Sequence, residues 1–443
     1  MKRIYLAVFP LLALAALGLW YFDNSNAPMG SFFTDRIGLI IAFARLAGLV
    51  GALGVMGQLL LVSRAKWLEP LYGLDRLTRF HHTAGLLIPL ALLVHPPLVV
   101  WYHALQTGNS FLAQYLVVLK WDDILPAAAG ELLILAAVVL SLPFTRRRLS
   151  YEAWHTAHLG AYLGLAFSLG HQFELGADLN AETPYFAWAW YALLAFTAAN
   201  MLWYRLLRPL WTYRRHGFRV DRTAMESRDV MSVYVKGRGL GNFPVEPGQF
   251  ALLRFWAPGL KLQAHPFSFS KAPDGAELRF SIKRSGDFTA KLHAELKPGT
   301  PVIIDGPHGV FTAARLRARK ALLVAGGIGI TPLRAMLESL AAARADAVLV
   351  FSNRTAGDIV FREELAGLEK GGTLRTVHVL TEDKDWTGEK GRVDAAMLNR
   401  LVPDLGERDA FLCGPPPMMA ALDAGLRALG VPADRIHYER FSL

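Results

Sequence analysis

Residues 80–95 read FHHTAGLLIPLALLVH, and residues 154–171 read WHTAHLGAYLGLAFSLGH. Both stretches are apolar between their histidines, and ionisable side chains at membrane depth are costly and usually face a bundle interior. On a helix, the 14-residue spacing of His81 and His95 returns to within about 40° of the same face and rises about 21 Å. His158 and His171 are 13 residues apart and about 140° out of register, so their helix requires a bulge, a bend or a different side-chain reach.

Two helices that each carry a histidine near either end are able to clamp two stacked haems, because imidazole is a common ligand of haem iron. Both helices are expected to run from the inner to the outer side of a membrane. This predicts an inner pair, His81 with His158, and an outer pair, His95 with His171. With both axial positions filled, such haems carry electrons. His82 is an alternative inner ligand, and interfacial or interhelical hydrogen bonding is the alternative for all four histidines.

These stretches belong to a set of six apolar runs near the length of about 20 residues that spans a bilayer. The first run follows Met-Lys-Arg and is interpreted as an uncleaved helix. The alternative is a signal peptide, but no small-x-small cleavage site precedes Asp23. The six predicted spans are 4–22, 37–62, 81–102, 126–144, 155–173 and 185–206.

The composition agrees with a chain that lies partly in a membrane. Hydrophobic residues make up 53% of the 443 residues and charged residues 19%, and the mean hydropathy is +0.28. Ordinary soluble domains are about 25% charged. Disorder, coiled coil and collagen are excluded on the same grounds, and the single cysteine, Cys413, excludes a disulfide-stapled scaffold.

Lys and Arg are distributed asymmetrically over the loops, which predicts the orientation. With the N-terminus in the cytoplasm, only Arg36 and Lys120 lie in outer loops. The net charge of +10 is then explained by anchoring to an anionic inner leaflet of the lipid bilayer, and no nucleic-acid partner is predicted. We expect a multi-pass protein of a bacterial-type inner (plasma) membrane with a cytoplasmic C-terminal half. The basic residues on the predicted inner side are Lys2, Arg3, Arg64, Lys66, Arg76, Arg79, Arg146, Arg147, Arg148, Arg205, Arg208, Arg214 and Arg215.

Arg45 lies about two turns inside the second predicted span, where an unpaired charge is expensive. One interpretation is that it is a counter-ion to a haem propionate or a charge at an outer reaction site. The alternative is a structural ion pair with Glu131 of the fourth span.

Residues 217–315 contain short β-type runs (231–236, 248–255, 277–283 and 301–305) broken by Pro-Gly and Gly-x-Gly, which predicts a small antiparallel barrel. The barrel segment contains HPFSFS (265–270) and KRSGDFT (283–289). An aromatic side chain is able to pack on a flavin ring. The hydroxyls, with the amides that open a predicted helix at 288–296, are able to hold a pyrophosphate. The candidate FAD-binding residues are His265, Pro266, Phe267, Ser268, Lys283, Gly286 and Thr289.

Residues 316–443 alternate strand and helix, which predicts a parallel sheet. A strand at 320–325 leads into GGIGITP (326–332), where glycines allow close approach of phosphates to a helix N-terminus, although a proline replaces the usual third glycine. The last strand predicted, 410–413, leads into CGPPPMM (413–419) at the strand end where ligands bind in open α/β sheets. The candidate nucleotide-binding residues here are Gly326, Gly327, Gly329, Thr331, Pro332, Gly414 and Pro415.

Taken together, these motifs resemble the superfamily of NADPH oxidases and ferric reductases over nearly the whole chain. The resemblance implies a six-helix transmembrane bis-haem domain (1–213), an antiparallel β-barrel FAD-binding domain (214–315) and a Rossmann-like α/β NAD(P)H-binding domain (316–443). The paired histidines resemble its haem ligands, HPFSFS its FAD motif, GGIGITP its pyridine-nucleotide loop and CGPPPMM its nicotinamide-side motif. The doubled His81-His82 departs from the pattern.

The resemblance also implies roles for single residues. His308 matches a short glycine motif near the flavin, Phe441 an aromatic residue over the isoalloxazine, and Arg45 an arginine near the outer haem. Cys413 is expected to position the nicotinamide.

The implied function is transmembrane electron transfer from NAD(P)H through FAD and two b-type haems to an extracytoplasmic acceptor. Arg354 follows the second strand of the last domain, where the family has its phosphate site, and a guanidinium suits a 2′-phosphate. This favours NADPH, with NADH also used, and a solvated loop arginine is the alternative. No EF-hand or segment for an obligate activating subunit is evident, so constitutive activity is expected.

The sequence is compatible with more than one terminal electron acceptor. Reduction of oxygen to superoxide and reduction of a ferric chelate both require an exposed outer haem edge. The predicted outer loops offer His103 and scattered acids but no evident iron-binding cluster, which favours oxygen. The alternatives are a ferric-chelate reductase, or an electron donor to a periplasmic partner protein or to quinone.

Overall fold

The computed structural model describes residues 10, 11, 13–15, 17, 18, 20, 21, 36–174, 179, 184–261 and 263–439. Contacts divide the chain into two compact units, residues 1–71 with 76–204 and residues 72–75 with 205–443. The predicted first span at 4–22 lies mostly outside the described residues.

The first unit is helical. Among the described residues, three helices are long and apolar enough to cross a membrane, Arg36–Val62, Leu74–Thr107 and Ile124–Ser141. Two more helices overlap the predicted spans 155–173 and 185–206. The first has 17 residues and is shorter than these three, and the second has 19 residues and is less apolar. The helices are α1 (Arg36–Val62), α2 (Glu69–Tyr72), α3 (Leu74–Thr107), α4 (Phe111–Val118), α5 (Ile124–Ser141), α6 (Pro143–Arg146), α7 (Tyr151–Phe167), α8 (Gly170–Glu174) and α9 (Pro184–Leu202).

Glycines allow α1 and α3 to approach closely. A Cβ atom built on Gly48 would lie 2.8 Å from His95 Nδ1, and one on Gly51 would lie 2.6 Å from Leu92. Small residues have this role in membrane helix pairs, where close backbone packing replaces the hydrophobic effect as the driving force. The glycines therefore set the position of α3 against α1.

The helices α5 and α7 cross at two glycines. A Cβ atom on Gly130 would overlap the carbonyl oxygen of Gly164, and one on Gly164 would lie 2.6 Å from the carbonyl oxygen of Gly130. Because neither position has room for a side chain, this contact fixes α7 against α5.

The helix that contains the second histidine stretch is interrupted. Helix α7 ends at Phe167, residues 168–169 form a turn, and α8 begins at Gly170. A Cβ atom on Gly170 would lie 2.8–3.0 Å from the Asp123 carboxyl group, so the turn is packed against the start of α5. The 13-residue spacing predicted a bulge, a bend or a different side-chain reach, and the structure has a break in the helix.

The second unit begins with α10 (Arg208–His216), which follows a π-helical turn at Trp203–Leu207, and continues into two three-stranded antiparallel sheets. Their orders are β1-β2-β5 and β4-β3-β6. Isolated bridges from Arg219 to Pro301 and from Phe269 to Phe280 join the sheet edges, which gives a barrel-like closure around a core rich in phenylalanine. The elements are β1 (Arg219–Met225), β2 (Val230–Lys236), β3 (Phe250–Phe255), β4 (His265–Ser268), β5 (Leu278–Lys283), α11 (Asp287–Glu295) and β6 (Val302–His308).

The rest of the unit is a six-stranded parallel sheet of order β10-β9-β8-β7-β11-β12, with a buried apolar cluster on each side. The order reverses between β7 and β11, so the carboxyl ends of these two strands border the crevice where open α/β sheets bind ligands. The elements are β7 (Lys320–Gly326), α12 (Ile330–Ala342), β8 (Asp346–Asn353), α13 (Arg362–Glu369), β9 (Leu374–Leu380), β10 (Glu389–Lys390), α14 (Ala395–Leu401), β11 (Asp409–Cys413), α15 (Pro416–Ala428) and β12 (Ile436–Tyr438).

A partly buried ion-pair cluster joins the barrel to the parallel sheet. Arg279, whose side chain is 3% exposed, contacts both carboxylate oxygens of Glu364 at 2.7 and 3.0 Å, and its guanidinium lies 4.7 Å from the centre of the Phe361 ring. Arg334 reaches the same carboxylate at 2.5 Å. Burial opposes ionisation of Glu364, but the two guanidinium groups lower its pKa overall.

Candidate functional site

The structure brings the four predicted histidines together as two pairs. The ring centres of His81 and His158 are 6.0 Å apart, with an interplanar angle of 79°. His82 is exposed, and its ring approaches His81 at 6.3 Å. His155 is stacked on Tyr151 with ring centres 5.6 Å apart. The inner pair is therefore formed by His81 and His158.

The outer pair is formed by His95 and His171, with ring centres 6.4 Å apart and an interplanar angle of 42°. His95 Nδ1 lies 2.8 Å from the carbonyl oxygen of Ala44. A carbonyl only accepts, so this nitrogen carries the proton and Nε2 keeps its lone pair. The buried Nδ1 atoms of His171 and His81 have no hydrogen-bond partner among the described residues.

Both distances fit a metal ion held between two imidazoles. An imidazole nitrogen binds a transition metal at about 2 Å, so two rings on opposite sides of one metal have centres roughly 6 Å apart. Two histidines supply only axial ligands, and a haem supplies the remaining four from its macrocycle. The residues present therefore fit two bis-histidine haems.

Arg45 lies on α1 close enough to His103 of α3 for their charges to interact. The His103 ring also contacts Tyr102 and Trp121, each with ring centres 4.9 Å apart. Glu131 is half-buried on α5 and forms no ion pair with any residue that the structure describes. The alternative of an Arg45–Glu131 pair is therefore not seen.

The predicted flavin motif forms β4, which pairs with β3. The His265 ring stacks on Phe288 with centres 3.9 Å apart. Ser268 Oγ is buried and has no hydrogen-bond partner in the described part of the chain, whereas Ser270 Oγ lies 2.8 Å from Ser281 Oγ in a buried hydroxyl chain. Ser268 is thus available to a ligand, and Ser270 is part of the barrel.

The segment 283–289 opens α11. Thr289 Oγ1 accepts hydrogen bonds from the amides of Ser285 and Gly286, at 2.9 and 3.0 Å. The amide of the candidate residue Gly286 and the hydroxyl of the candidate residue Thr289 are therefore bonded to each other. The later amides of the first turn, from Asp287 onward, are the ones left to bind an anion. Lys283, at the end of β5, lies 3.3 Å from Asp229.

His308 lies at the end of β6 and is fully buried. Its Nε2 is 3.2 Å from Asp305 Oδ1, and Arg208 of α10 approaches the same carboxylate oxygen at 3.8 Å. The His308 ring also contacts Phe250 of β3 at 5.9 Å. Phe441 lies outside the described residues.

The two nucleotide-binding motifs meet at one edge of the parallel sheet. A Cβ atom on Gly329 would overlap the carbonyl oxygen of Cys413, and one on Gly326 would lie 2.7 Å from Pro415. Gly327 has a φ of +52° with open space beside it, which allows a phosphate to approach the backbone. Thr331 and Pro332 are buried in the first turn of α12, where Thr331 Oγ1 donates to the Ile328 carbonyl. Gly414 continues the second loop beside Gly326.

Cys413 is the last residue of β11 and is fully buried. Burial raises the pKa of its thiol, and the Glu439 carboxylate raises it further. The thiol is therefore neutral at physiological pH, which suits contact with a nicotinamide and not nucleophilic attack.

Arg354 follows β8, and its side chain is 74% exposed. Its Nε lies 3.6 Å from Glu382 Oε1, and the amide of Glu382 donates to the carbonyl of Arg354 at 2.9 Å. A carboxylate beside the candidate phosphate-binding arginine was not anticipated from the sequence, because Glu382 is 28 residues away and follows a different strand.

Other contacts of the candidate sites were also missed from the sequence. Ser141 and Trp154 surround the inner histidine His158, and Arg279 with Glu364 joins the two subdomains. Serines and tryptophans near helix ends are common, so nothing in their spacing distinguishes these two. The charged pair is 85 residues apart in the chain, and the sequence has no periodic signal for such a contact.

Three family models match successive parts of the chain. Residues 47–169 match the ferric reductase like transmembrane component, residues 215–312 an FAD-binding domain, and residues 323–424 an oxidoreductase NAD-binding domain. The match to the transmembrane component contains three of the four paired histidines, His81, His95 and His158, and ends before His171.

Similar proteins include the glycine betaine monooxygenase reductase subunit of Chromohalobacter salexigens, 31% identical over 241 residues, and a flavohemoprotein of Chromobacterium violaceum, 33% identical over 244 residues. These matches cover 52% and 51% of this chain and 65% and 60% of the relatives, so they span less than two thirds of the relatives' length. A solved FAD/NAD-binding domain of nitric oxide dioxygenase from Vibrio cholerae is 26% identical, with a TM-score of 0.46, covering 50% of this chain and 96% of that one.

The order of the three matched domains agrees with the order of helices, barrel and parallel sheet in the structure. The chain therefore has the NADPH oxidase/ferric reductase-type architecture, in which a ferric reductase-like membrane domain is joined to an FAD- and NAD-binding oxidoreductase module.

Proposed function

We propose that this oxidoreductase transfers electrons from cytoplasmic NAD(P)H, through FAD and two bis-histidine b-type haems in a six-helix membrane domain, to oxygen on the other side of the membrane, giving superoxide. The observation that carries the proposal is the pairing of four histidines at two depths on α3 and on α7–α8. The ring-centre distances of 6.0 and 6.4 Å support one metal ion in each pair.

The chain's own residues prepare the two pairs for this role. The Ala44 carbonyl holds the proton of His95 on Nδ1, so that its Nε2 lone pair is available to iron. A haem held by the two histidines of each pair would supply a one-electron carrier. The glycine contacts pack α3 against α1 and α7 against α5, which limits the movement of the two helices that carry the histidines.

The second unit supplies the residues for flavin and nucleotide. Ser268, His265 and the first amides of α11 line the flavin-binding segment, and Gly326–Gly329 with Gly414 bring backbone close to the nucleotide phosphates. When bound, FAD accepts a hydride and releases electrons singly, which a nicotinamide donor cannot do. Cys413, as a neutral thiol, positions the nicotinamide.

Arg354 is the proposed reader of the 2′-phosphate of NADPH, because its exposed guanidinium follows β8. The Glu382 carboxylate has to move away from Arg354 when a phosphate binds. This arrangement supports use of both NADPH and NADH.

Arg45 and His103 are the charged and titratable groups that the proposal places at the outer reaction site. Their interaction and the contact of His103 with Trp121 support a small polar site that suits oxygen or its anionic product. The basic inner loops support a bacterial-type inner membrane with the FAD/NAD(P)H module in the cytoplasm. Constitutive activity, without an obligate activating subunit, belongs to the same proposal.

The test is the acceptor of purified protein in detergent, supplied with haem, FAD and NADPH. Superoxide formation that superoxide dismutase removes is the expected result in air. Ferric-chelate reduction that persists without oxygen, with negligible superoxide, would overturn oxygen as the acceptor and favour a ferric reductase. Reduction only of added quinone, or only with a co-purified periplasmic protein, would overturn it in favour of those acceptors.

A further inference from the structure

Ser141, the last residue of α5, has three polar neighbours around its hydroxyl oxygen. The Ala137 carbonyl oxygen is 2.7 Å away, the Trp154 indole nitrogen 3.1 Å and His158 Nδ1 3.2 Å. The residue lies in the first unit, beside the inner histidine pair. The Ser141 hydroxyl is therefore within hydrogen-bonding distance of His158 Nδ1.

Hydrogen counting fixes the direction of each bond. A carbonyl oxygen only accepts, so the single hydroxyl hydrogen of Ser141 is donated to Ala137. The indole N–H of Trp154 only donates, and it occupies one lone pair of the Ser141 oxygen. The remaining lone pair faces His158, which must then be the donor. The His158 ring consequently carries its proton on Nδ1.

The same neighbours limit rotation of the ring. Trp154 is stacked on His158 with ring centres 5.4 Å apart and an interplanar angle of 23°, and the Arg146 guanidinium covers the Trp154 ring at 4.7 Å from its centre. The Ala137 carbonyl also lies near His158 and favours the same tautomer, but the hydrogen bond seen at His158 Nδ1 is the one to the Ser141 hydroxyl. All these groups favour one tautomer and one orientation, with Nε2 as the unprotonated nitrogen.

We infer that Ser141 is a positioning residue for the inner haem: its hydroxyl holds His158 in the Nδ1–H tautomer and, by accepting that hydrogen bond, lowers the reduction potential of the haem. This inference rests on the proposed function, because it assumes that His158 ligates iron. A hydrogen bond from Nδ1–H makes the imidazole a more basic ligand, which stabilises ferric over ferrous iron.

The outer pair offers a natural reference. There the acceptor for His95 Nδ1 is the Ala44 backbone carbonyl, which side-chain substitution leaves in place. A change at Ser141 should therefore act on one haem only.

The experiment is a spectroelectrochemical titration of the full-length protein reconstituted with haem, in three variants. Ser141→Ala removes the acceptor, and Ser141→Thr keeps a hydroxyl. Ser168→Ala is the control. Ser168 follows the last residue of α7, and its hydroxyl donates to the Gly164 carbonyl four residues earlier, at 2.8 Å, as the Ser141 hydroxyl does to Ala137. Haem content is measured in each variant by the pyridine haemochrome method.

The expected result is that Ser141→Ala shifts one of the two midpoint potentials to a more positive value, while the other stays fixed. Ser141→Thr and Ser168→Ala should keep both native potentials. If Ser141→Ala loses one haem and Ser141→Thr retains two, the hydroxyl is required for ligation, which also supports the inference.

Unchanged potentials in a two-haem Ser141→Ala protein would overturn the inference, and so would equal shifts of both potentials or loss of a haem from both Ser141 variants. A native protein that binds no haem would instead contradict the proposed function itself. The haem content of the native protein therefore separates the two failures.

Discussion

The two units bring their candidate residues together in different ways. In the membrane unit, glycines at residues 48 and 51 let α1 and α3 approach each other, and glycines at residues 130 and 164 do the same for α5 and α7. The histidines of α3 and of α7–α8 then pair through their side chains. In the second unit, the motifs at 326–332 and 413–419 meet because β7 and β11 are neighbours in a parallel sheet. The first arrangement depends on individual side chains, and the second on the path of the backbone. Substitutions should reveal that difference.

The largest effect on activity is expected from substitution of a single histidine that ligates a haem. His95→Leu should remove one of two haems, because nothing replaces the imidazole opposite His171, and it should abolish superoxide formation. The pyridine haemochrome assay measures the stoichiometry. His82→Leu is the matched control and should retain both haems, since His82 is exposed. Two haems in His95→Leu would refute the ligand assignment.

In the second unit, the corresponding substitution places a side chain at Gly329, where it overlaps the Cys413 backbone. Gly329→Val should lower hydride transfer from NADPH by about tenfold or more, because overpacking against the Cys413 carbonyl costs about 1–3 kcal/mol. Haem content should not change. Stopped-flow flavin reduction measures the effect. Gly367→Ala, at a helix position with open space beside it, should be neutral, and a wild-type rate in Gly329→Val would show that the two loops do not need this contact.

Substitutions in the ion-pair cluster between barrel and sheet are expected to have an intermediate effect, which is on the free energy of unfolding. Arg279→Ala should lower the free energy of unfolding of this module by about 2–3 kcal/mol, below the usual cost of breaking a buried ion pair because Glu364 keeps Arg334. Arg222 provides the control. It is 48% exposed and pairs with Glu277 at 2.7 Å, so Arg222→Ala should cost less than about 1 kcal/mol. Thermal release of flavin measures both, and equal losses would contradict the distinction.

Acidification tests the same cluster. The folded pKa of Glu364 is below the ordinary 4.5, so its stabilising contribution is present above that value and is lost as the pH falls through the lowered folded pKa. In Arg279→Ala the carboxyl group has lost its main partner. The acid-dependent part of the stability should therefore be smaller in the variant than in the native module.

The smallest effect is expected at the exposed Arg354–Glu382 pair. Arg354→Ala should reduce the preference for NADPH over NADH by about tenfold, the value of one charge-assisted hydrogen bond. Glu382→Gln should increase that preference by roughly twofold to threefold, because the removed charge is exposed and screened. The ratio of kcat/KM for the two nucleotides measures both. A change in the same direction in both variants would argue against competition between Glu382 and a phosphate.

The sequence predicted those features that have a local signal. The buried strands β2, β3 and β5 match the predicted runs 231–236, 248–255 and 277–283, because apolar residues mark them. The strand β1 was not predicted: its residues are mostly exposed and include three charged side chains, RVDRTAM. The 13-residue histidine spacing predicted a bulge, a bend or a different side-chain reach, and the helix is interrupted by a turn at 168–169.

Features that depend on contacts between distant segments had no such signal. The glycine contacts are recognisable only once the partner helix is known, since glycines are also common in loops. The occupation of the Ser285 and Gly286 amides by Thr289 depends on a side-chain conformation, which a motif does not specify. The same holds for Ser141, whose three bonds involve residues up to 17 positions apart.

The contact between α1 and α3 has a consequence for chain length. The Ala44 carbonyl accepts a hydrogen bond from His95, and the Gln58 backbone lies near His81 without a hydrogen bond to its Nδ1. A 14-residue interval on α1 therefore matches the 14-residue interval of the histidines on the antiparallel α3. Deleting one residue between 44 and 58 would turn one of these backbone groups away by about 100° and leave the other in place. The helix α1 contributes no histidine to either pair. Its length between residues 44 and 58 is nevertheless constrained as strictly as the length of the helices that carry the histidines.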